Sequence, residues 1–137
     1  ELPLQPLNSM PSDAHVINIS AMGPQDQIEP VMEFVANQPH LVAYSGMAIK
    51  EKGLAWLDVH HSEGSKANGV KHVAQLQGYD EVIAFGDGDN DISLFKVASE
   101  SYAVDNADSE LKAIATQVIG HHDDDGVARF LRERFNL

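Results

Sequence analysis

The chain has no cysteine, few basic residues and no long hydrophobic run. The absence of cysteine excludes disulfides and thiolate chemistry and is compatible with a reducing compartment. Only 9 Lys and Arg residues stand against 21 Asp and Glu residues, a formal net charge of −12. Nucleic acids and anionic membranes need clustered positive charge, so neither is expected as a partner. No apolar segment approaches the ~18 residues of a spanning helix, and the first ten residues, ELPLQPLNSM, lack a signal-peptide pattern. Together these absences predict a cytoplasmic protein.

The 137 residues leave room for one domain or for pieces of two, and 43% of them are hydrophobic, enough for a core. Residues 1–14 contain three prolines and no periodic pattern, and we expect an extended lead-in there. Residues 15–62 are predicted to form an αβ unit whose helix carries Pro30 in its first turn, where a missing N–H is tolerated. The apolar patterns predict a helix over 25–38 and strands over 15–20, 40–45 and 53–60.

Residues 63–137 alternate short apolar strands with helices, which is the pattern of parallel βαβ units. The first helix is expected to bury Val70, Val73, Ala74 and Leu76 and to end at Gly78. The predicted fold class is therefore α/β, with a parallel sheet at whose carboxyl edge ligands collect. Strands are predicted over 81–85, 101–104 and 117–120, and helices over 65–78, 91–98, 107–116 and 125–135.

The sequence GDGDND, residues 86–91, directly follows the strand predicted over 81–85. Aspartates at this density repel one another unless a positive ion lies among them. Carboxylate oxygens at a strand end suit Mg²⁺, which takes few protein ligands and keeps waters for a phosphate-bearing substrate. The loop therefore predicts a magnesium site, with an ordinary Asp- and Gly-rich turn as the alternative.

Two other loop motifs fail on the residues present. An EF-hand that begins at Asp87 needs glycine at its sixth position and glutamate at its twelfth, where Ile92 and Ala98 stand. A dinucleotide-binding fingerprint that begins at Gly86 needs a third glycine where Asp91 stands. Neither a calcium loop of this type nor a dinucleotide site is expected.

Four segments, in this order, resemble the haloacid dehalogenase (HAD) superfamily, and within it the Cof-type sugar-phosphatase-like branch. EGSKANGVKHVAQLQGY resembles the third family motif, in which a lysine opens a helix, and IAFGDGDNDISLF resembles the fourth, GDGxND. YAVDNADSELKAIA is similar to the NA segment that follows, and HHDDDGVARFL to the closing helix. The resemblance implies the C-terminal half of a HAD-like, Rossmann-like core over residues 63–137. It also implies the last αβ unit of an α/β cap domain over residues 15–62.

The resemblance also assigns roles to individual acidic residues. Asp87 would bind Mg²⁺ directly, and Asp91 would hold a metal-bound water or orient its neighbours. Asp89 occupies a variable position of the family motif, and we do not expect it to be a metal ligand. The cofactor implied is Mg²⁺.

The resemblance also assigns roles in phosphate binding to a lysine and two asparagines. Lys66 would neutralise the substrate phosphate and the carboxylate nucleophile, while Asn90 and Asn106 would position phosphoryl oxygens. Phosphoryl transfer needs an in-line nucleophile and positive charge on the equatorial oxygens, and a lysine with Mg²⁺ supplies that charge. The implied substrate is a small phosphorylated metabolite.

One departure from the family pattern concerns the nucleophile. The family carries it in a DxDGT motif, and neither Asp13 in PSDAHVINIS nor Asp58 in WLDVHH has the required neighbours. The chain is therefore expected to be part of a phosphohydrolase and to be inactive alone, because aspartate nucleophiles act by forming an acyl phosphate. The alternative is a non-catalytic HAD-like domain that retains Mg²⁺ or phosphate binding.

The same departure predicts an exposed sheet edge. In the family the nucleophile strand would lie beside residues 82–85, so we expect that edge to recruit the missing N-terminal half of the core or to self-associate. The histidine pairs His60–His61 and His121–His122 are candidate zinc ligands, but adjacent histidines on a strand point to opposite faces, which suits one metal ion poorly, so we expect them to be polar loop residues instead. Asp123, Asp124 and Asp125 are predicted to flank and cap the last helix.

Overall fold

The structure, a computed structural model, describes residue 9, residues 12–48 and residues 53–137. The chain divides into two compact units, residues 1–60 and residues 61–137, and each is described by itself. Most of the lead-in predicted over 1–14 lies outside the described residues, as do residues 49–52 of the predicted turn. Within the described ranges, no helix is long and apolar enough to cross a membrane.

The first unit is a three-stranded sheet with one helix. Its sheet order is β1-β3-β2, and β1 pairs antiparallel with β3 from Asn18 opposite His60 to Pro24 opposite Leu54. Alternate residues of β3 are buried, and they pack with Ile28 and Val35 of the helix to form the core of this unit. The elements are β1 (Asn18–Pro24), α1 (Gln25–Ala36), β2 (Leu41–Met47) and β3 (Leu54–His61).

Two expectations for this unit were wrong. The first strand was predicted over 15–20, yet Val16 and Ile17 are exposed and the strand starts at Asn18, because the backbone ladder with β3 sets the register. Pro30 was predicted in the first helical turn, but α1 begins five residues earlier, at Gln25. Pro30 therefore lies inside the helix, where its missing N–H removes one hydrogen bond of the ladder.

The second unit is a parallel α/β structure, as the sequence predicts. Its sheet order is β4-β5-β6, with Ile83 opposite Glu100 and Tyr102 opposite Gln117 in the two parallel pairs. The core lies around β5, whose Ala103 is fully buried together with Leu111. The elements are α2 (Lys66–Gln77), β4 (Ile83–Gly86), α3 (Ile92–Phe95), β5 (Glu100–Val104), α4 (Ser109–Ile114), β6 (Gln117–Ile119) and α5 (Gly126–Phe135), with 3-10 turns at Ser62–Gly64, Asp89–Asp91 and His122–Asp124.

Helix α2 is capped as predicted but does not bury the face that was predicted. Gly78 ends the helix with a φ of 70°, and its N–H donates to the Ala74 carbonyl, so the predicted stop is confirmed. Val73 and Leu76, expected to face the core, are 55% and 68% exposed. Helical spacing predicts which residues form an apolar stripe but not which surface covers that stripe. Within the described residues, nothing covers the part formed by Val73 and Leu76.

The loop before α5 differs from the expected cap. Asp125 occupies the N-cap position, but its φ is 55° and its side chain accepts no capping hydrogen bond. Asp123 and Asp124 lie in the preceding 3-10 turn. The left-handed backbone that Asp125 adopts is tolerated by aspartate better than by most residues, which accounts for its place at this corner.

Candidate functional site

The buried carboxylate of Asp91 organises the carboxyl end of β4. Asp91 is only 3% exposed, and both of its carboxylate oxygens accept hydrogen bonds. Oδ1 lies 2.5 Å from the Nζ of Lys66. Oδ2 accepts the backbone N–H groups of Asp87 at 3.0 Å and Gly88 at 3.4 Å. A buried charge needs such partners, so Asp91 holds the lysine and the loop in one arrangement.

The loop reaches this conformation because glycine ends the strand. An ideal Cβ on Gly86 would lie 2.7 Å from the Cβ and Oδ2 of Asp91, closer than real atoms come. The 3-10 turn that follows is closed by the Asp91 N–H donating to the Gly88 carbonyl at 3.0 Å. The missing side chain of Gly86 thus makes room for the Asp91 carboxylate under the loop.

Lys66 is presented by the start of α2. It is the first residue of that helix, and the Oγ of Ser65 caps the helix by accepting the Asn68 N–H at 3.3 Å. The Lys66 side chain is half exposed, so its ammonium group contacts Asp91 and also faces solvent. A lysine ammonium carries three N–H donors, which allows it to bind Asp91 and an incoming anion together.

Asp87 is the exposed carboxylate of the loop. Its backbone is fixed on both sides, because its N–H donates to Asp91 and its carbonyl accepts the Asp108 N–H at 2.9 Å. The residue itself is exposed, as is Asp89, whereas Asn90 is half-buried in the 3-10 turn. The structure therefore brings Lys66, Asp87, Asn90 and Asp91 together at the end of β4.

Asn106 follows the neighbouring strand β5 and makes a different contact. Its Oδ1 accepts the backbone N–H of His122 at 3.1 Å, which ties the β5 loop to the loop after β6. The turn at Asn106 is closed by the Ala107 N–H donating to the Val104 carbonyl at 2.8 Å. With its amide oxygen engaged, the donors that Asn106 can offer to a phosphate are those of its NH₂ group.

The donor set of the loop fits a hard cation. Asp87 offers exposed carboxylate oxygens, the ligand type that Mg²⁺ prefers, while the oxygens of Asp91 are already hydrogen-bonded. A cation at Asp87 would lie in the same loop as Asp91, whose carboxylate holds Lys66 of α2. The arrangement can therefore collect positive charge around an anion such as phosphate.

Three residues that shape this site had no role predicted from the sequence. Gly86 makes room for Asp91, Asp108 fixes the Asp87 carbonyl, and His122 engages Asn106. Of these, only the glycine had a signal in the sequence, since glycine at a strand end often marks a close approach. Asp108 and His122 act through their backbone N–H groups, so the identity of their side chains does not indicate these roles.

The family model of the haloacid dehalogenase-like hydrolases matches residues 3–131 of this chain. The chain belongs to that family. The predicted family and the α/β fold class are therefore confirmed, and the motifs around Lys66 and Asp87 lie within the matched range.

Relatives and solved structures agree with this assignment. A Bacillus subtilis 5-amino-6-(5-phospho-D-ribitylamino)uracil phosphatase is 35% identical over 83 residues, covering 59% of this chain and 31% of that protein. A haloacid dehalogenase-like hydrolase of B. subtilis superimposes with a TM-score of 0.73 at 24% identity, covering 85% of this chain and 40% of that one. The HAD subclass IIB sugar phosphatase BT4131 gives 0.69 at 23% identity, covering 92% and 46%. The chain spans less than half the length of each.

Proposed function

We propose that this chain supplies the phosphate- and metal-binding part of a Mg²⁺-dependent phosphohydrolase that acts on small phosphorylated metabolites. The observation that carries the proposal is the Lys66–Asp91 contact of 2.5 Å beside the exposed carboxylate of Asp87. The relative from B. subtilis is named as a phosphatase of a phosphorylated ribitylamino compound, which supports the substrate class.

Each residue of the site has a distinct task in this proposal. Lys66, held by Asp91, would bind a substrate phosphate oxygen, and Asn90 and Asn106 would orient other phosphoryl oxygens through hydrogen bonds. Asp87 would hold Mg²⁺, and Asp91 would act mainly by positioning Lys66, because both of its oxygens are hydrogen-bonded. Mg²⁺ bound there would stabilise the negative charge that develops on the transferred phosphoryl group.

The nucleophile in this proposal comes from a segment outside this sequence. No DxDGT motif occurs in the 137 residues. Strand β4 has β5 on one side and is one of the two outer strands of the described sheet, so its free side is where a further parallel strand would add. A segment that carries the nucleophile at the carboxyl end of such a strand would place it near Asp87.

The experiment compares the chain alone with a completed chain. The chain alone should not hydrolyse p-nitrophenyl phosphate with Mg²⁺, and its rate should equal that of the Asp87→Ala variant. Fusion or co-expression with a DxDGT-bearing segment encoded upstream should give activity that is lost in Lys66→Met and kept in Lys71→Met, a lysine on the same helix. Turnover by the chain alone above the Asp87→Ala control would contradict the proposal that the nucleophile lies elsewhere.

The second candidate is a non-catalytic domain that keeps phosphate or Mg²⁺ binding. The missing nucleophile motif favours it, whereas the Lys66–Asp91 contact favours the enzyme, because a scaffold does not need a buried carboxylate paired with a half-exposed lysine at this edge. If no DxDGT segment is encoded upstream, and phosphate still shifts in ³¹P NMR with wild type but not with Lys66→Met, the binding function is the better account.

A further inference from the structure

A second group of metal-ligating side chains lies in the loop after β6. His121, His122 and Asp123 each offer one ligand atom, and these atoms lie within 4.8 Å of one another. We propose that these three side chains form a binding site for a transition metal ion of the Zn²⁺ or Cu²⁺ type, separate from the Mg²⁺ site proposed at Asp87.

The distances suit a shared ion. His122 Nε2 lies 3.4 Å from Asp123 Oδ1, and His121 Nδ1 lies 3.7 Å from Asp123 Oδ2. Two ligands of one tetrahedral zinc ion, each at a bond length of about 2.1 Å, are about 3.4 Å apart. The carboxylate of Asp123 therefore already lies at ligand spacing from one histidine and close to it from the other.

The backbone explains why adjacent histidines converge here. The sequence-based objection was that neighbouring side chains on a strand point to opposite faces, but β6 ends at Ile119 and His122 opens a 3-10 turn. The two imidazole rings are 4.6 Å apart between centroids and inclined by 37°. The premise of that objection does not hold for His121 and His122, because a turn, unlike a strand, does not alternate its side chains. It does hold for His60 and His61, which lie in β3 and not in a loop as was predicted.

The loop is held in place by bonds that do not use the His122 ring. The His122 N–H donates to Asn106, and the carbonyl of His121 accepts the N–H groups of Asp124 and Gly126 at 3.1 Å each. Gly126 is needed for this turn, since a Cβ there would meet the Gly120 carbonyl oxygen at 1.9 Å. A fixed loop reduces the entropy lost when an ion orders the side chains.

The donor set indicates the kind of ion. Two imidazole nitrogens and one carboxylate suit zinc or copper, whereas Mg²⁺ prefers oxygen ligands alone. Three protein ligands leave room for water or an anion in the remaining position. The net charge of −12, with Asp124 and Asp125 next in the chain, raises the local concentration of any cation.

A hydrogen bond within the loop competes with metal binding at one of the three side chains. His121 Nδ1 accepts the Asp123 N–H at 3.1 Å, so an ion at that nitrogen would have to displace this hydrogen bond. His122 Nε2 and the Asp123 carboxylate are therefore the stronger ligands, and the test is aimed at them.

The test measures binding of the metal alone to the untagged full chain. Calorimetric titration with Zn²⁺ should show one site that His122→Gln and Asp123→Asn each weaken at least about tenfold, the lower end of what outer-shell losses cost at metal sites. His72→Gln, an exposed histidine on α2, should bind as wild type does, and so should Asp87→Asn, which separates this site from the proposed phosphatase site.

A spectroscopic readout keeps the proposal falsifiable if binding is weak. Cu²⁺ electron paramagnetic resonance should show coupling to two nitrogens in wild type and to one in His122→Gln. The His122 and Asp123 side chains are 60% and 76% exposed, so unchanged circular dichroism should confirm that the variants fold. Equal Zn²⁺ affinity in wild type, His122→Gln and Asp123→Asn, or oxygen-only copper coupling, would overturn the proposal.

Discussion

Gly86 and Asp91 occupy adjoining space: the position of a Cβ on Gly86 lies 2.7 Å from the Oδ2 of Asp91. That oxygen accepts the N–H groups of Asp87 and Gly88, and the other oxygen of the same carboxylate holds Lys66. The hydrogen-bonded network around the buried Asp91 carboxylate can therefore form only because Gly86 has no side chain. Any side chain at position 86 must push Asp91 away from its partners.

Replacing Gly86 with alanine should therefore destabilise the fold and release Lys66. We expect a loss of about 1–3 kcal/mol in the free energy of unfolding, the usual cost of overpacking, measured by urea denaturation. Gly88→Ala is the matched control, because its Cβ would lie 3.6 Å from the Asn90 Oδ1, an ordinary contact, and its φ of −135° suits any residue. Equal stability of the two variants would contradict this role of Gly86.

Mg²⁺ should bind the chain weakly and through Asp87. One exposed carboxylate gives the ion few protein ligands, and Mg²⁺ dehydrates reluctantly, so we expect a dissociation constant of roughly millimolar or weaker. Asp87→Asn should abolish the binding seen by calorimetry, whereas Asp89→Asn, in the same loop and also exposed, should change it little. Micromolar affinity in the wild type, or an equal loss in both variants, would show that other ligands contribute.

Much of the local structure of this site could be predicted from sequence, because it depends on neighbours in the chain. Gly78 has the backbone flexibility that a helix end requires, and GDGDND after an apolar strand predicts a polar loop at a sheet edge. Short apolar strands that alternate with helices predicted the parallel sheet. Each of these signals lies within a few residues of the structure that it specifies.

The contact between Lys66 and Asp91 could be expected only from the family resemblance. The two residues are 25 positions apart, and their meeting depends on how α2 lies beside the end of β4. The exposure of Val73 and Leu76 also could not be predicted, since an apolar stripe predicts burial but does not indicate which surface buries it. His121 and His122 were predicted to be polar loop residues, and they do lie outside β6, but the sequence did not indicate that the loop brings their side chains together.

A second charged network should give the fold a measurable pH dependence. Tyr102, only 6% exposed, donates its hydroxyl hydrogen to Glu100, and Arg134 of α5 donates to the other Glu100 oxygen at 3.2 Å. The hydrogen bond from Tyr102, helped by the charge of Arg134, holds the pKa of Glu100 below its ordinary 4.5. The same bond raises the pKa of Tyr102 above 10.0.

Because the pKa of Glu100 is lowered in the folded state, its contribution to stability is present above pH 4.5 and is lost as the pH falls through the folded pKa. Tyr102→Phe should therefore lower the free energy of unfolding at pH 7, and the difference from wild type should shrink in more acidic buffer. Tyr79→Phe, a 65% exposed control, should follow the wild type throughout. A Tyr102→Phe deficit that stays constant down to pH 3 would show that packing, not the hydrogen bond to Glu100, is responsible.

The last prediction concerns the free side of β4. In the described sheet β4 pairs with β5 alone, and a mostly apolar groove runs beside it, lined by Gly69, Val70, Val73, Ala74, Tyr79, Glu81, Val82 and Ile83. Val73 is 55% exposed there, and covering apolar surface stabilises by ~25 cal/mol per Å². An open strand edge next to such a groove recruits other chains. We therefore expect concentration-dependent self-association by light scattering, which a DxDGT-bearing segment should suppress by occupying the edge.

Val73→Glu should weaken this self-association, since it adds a second carboxylate to the groove that Glu81 already lines. Val118→Glu, on the outer strand β6 at the other side of the sheet, adds the same charge and should leave association unchanged. Hydrogen exchange should agree: in a parallel pair alternate residues of β4 donate to β5, so only those amides should be protected in dilute monomer. A stable monomer in which every amide over residues 83–86 is strongly protected would mean that both sides of β4 are already covered, and the edge would then not be where the proposed nucleophile-bearing segment binds.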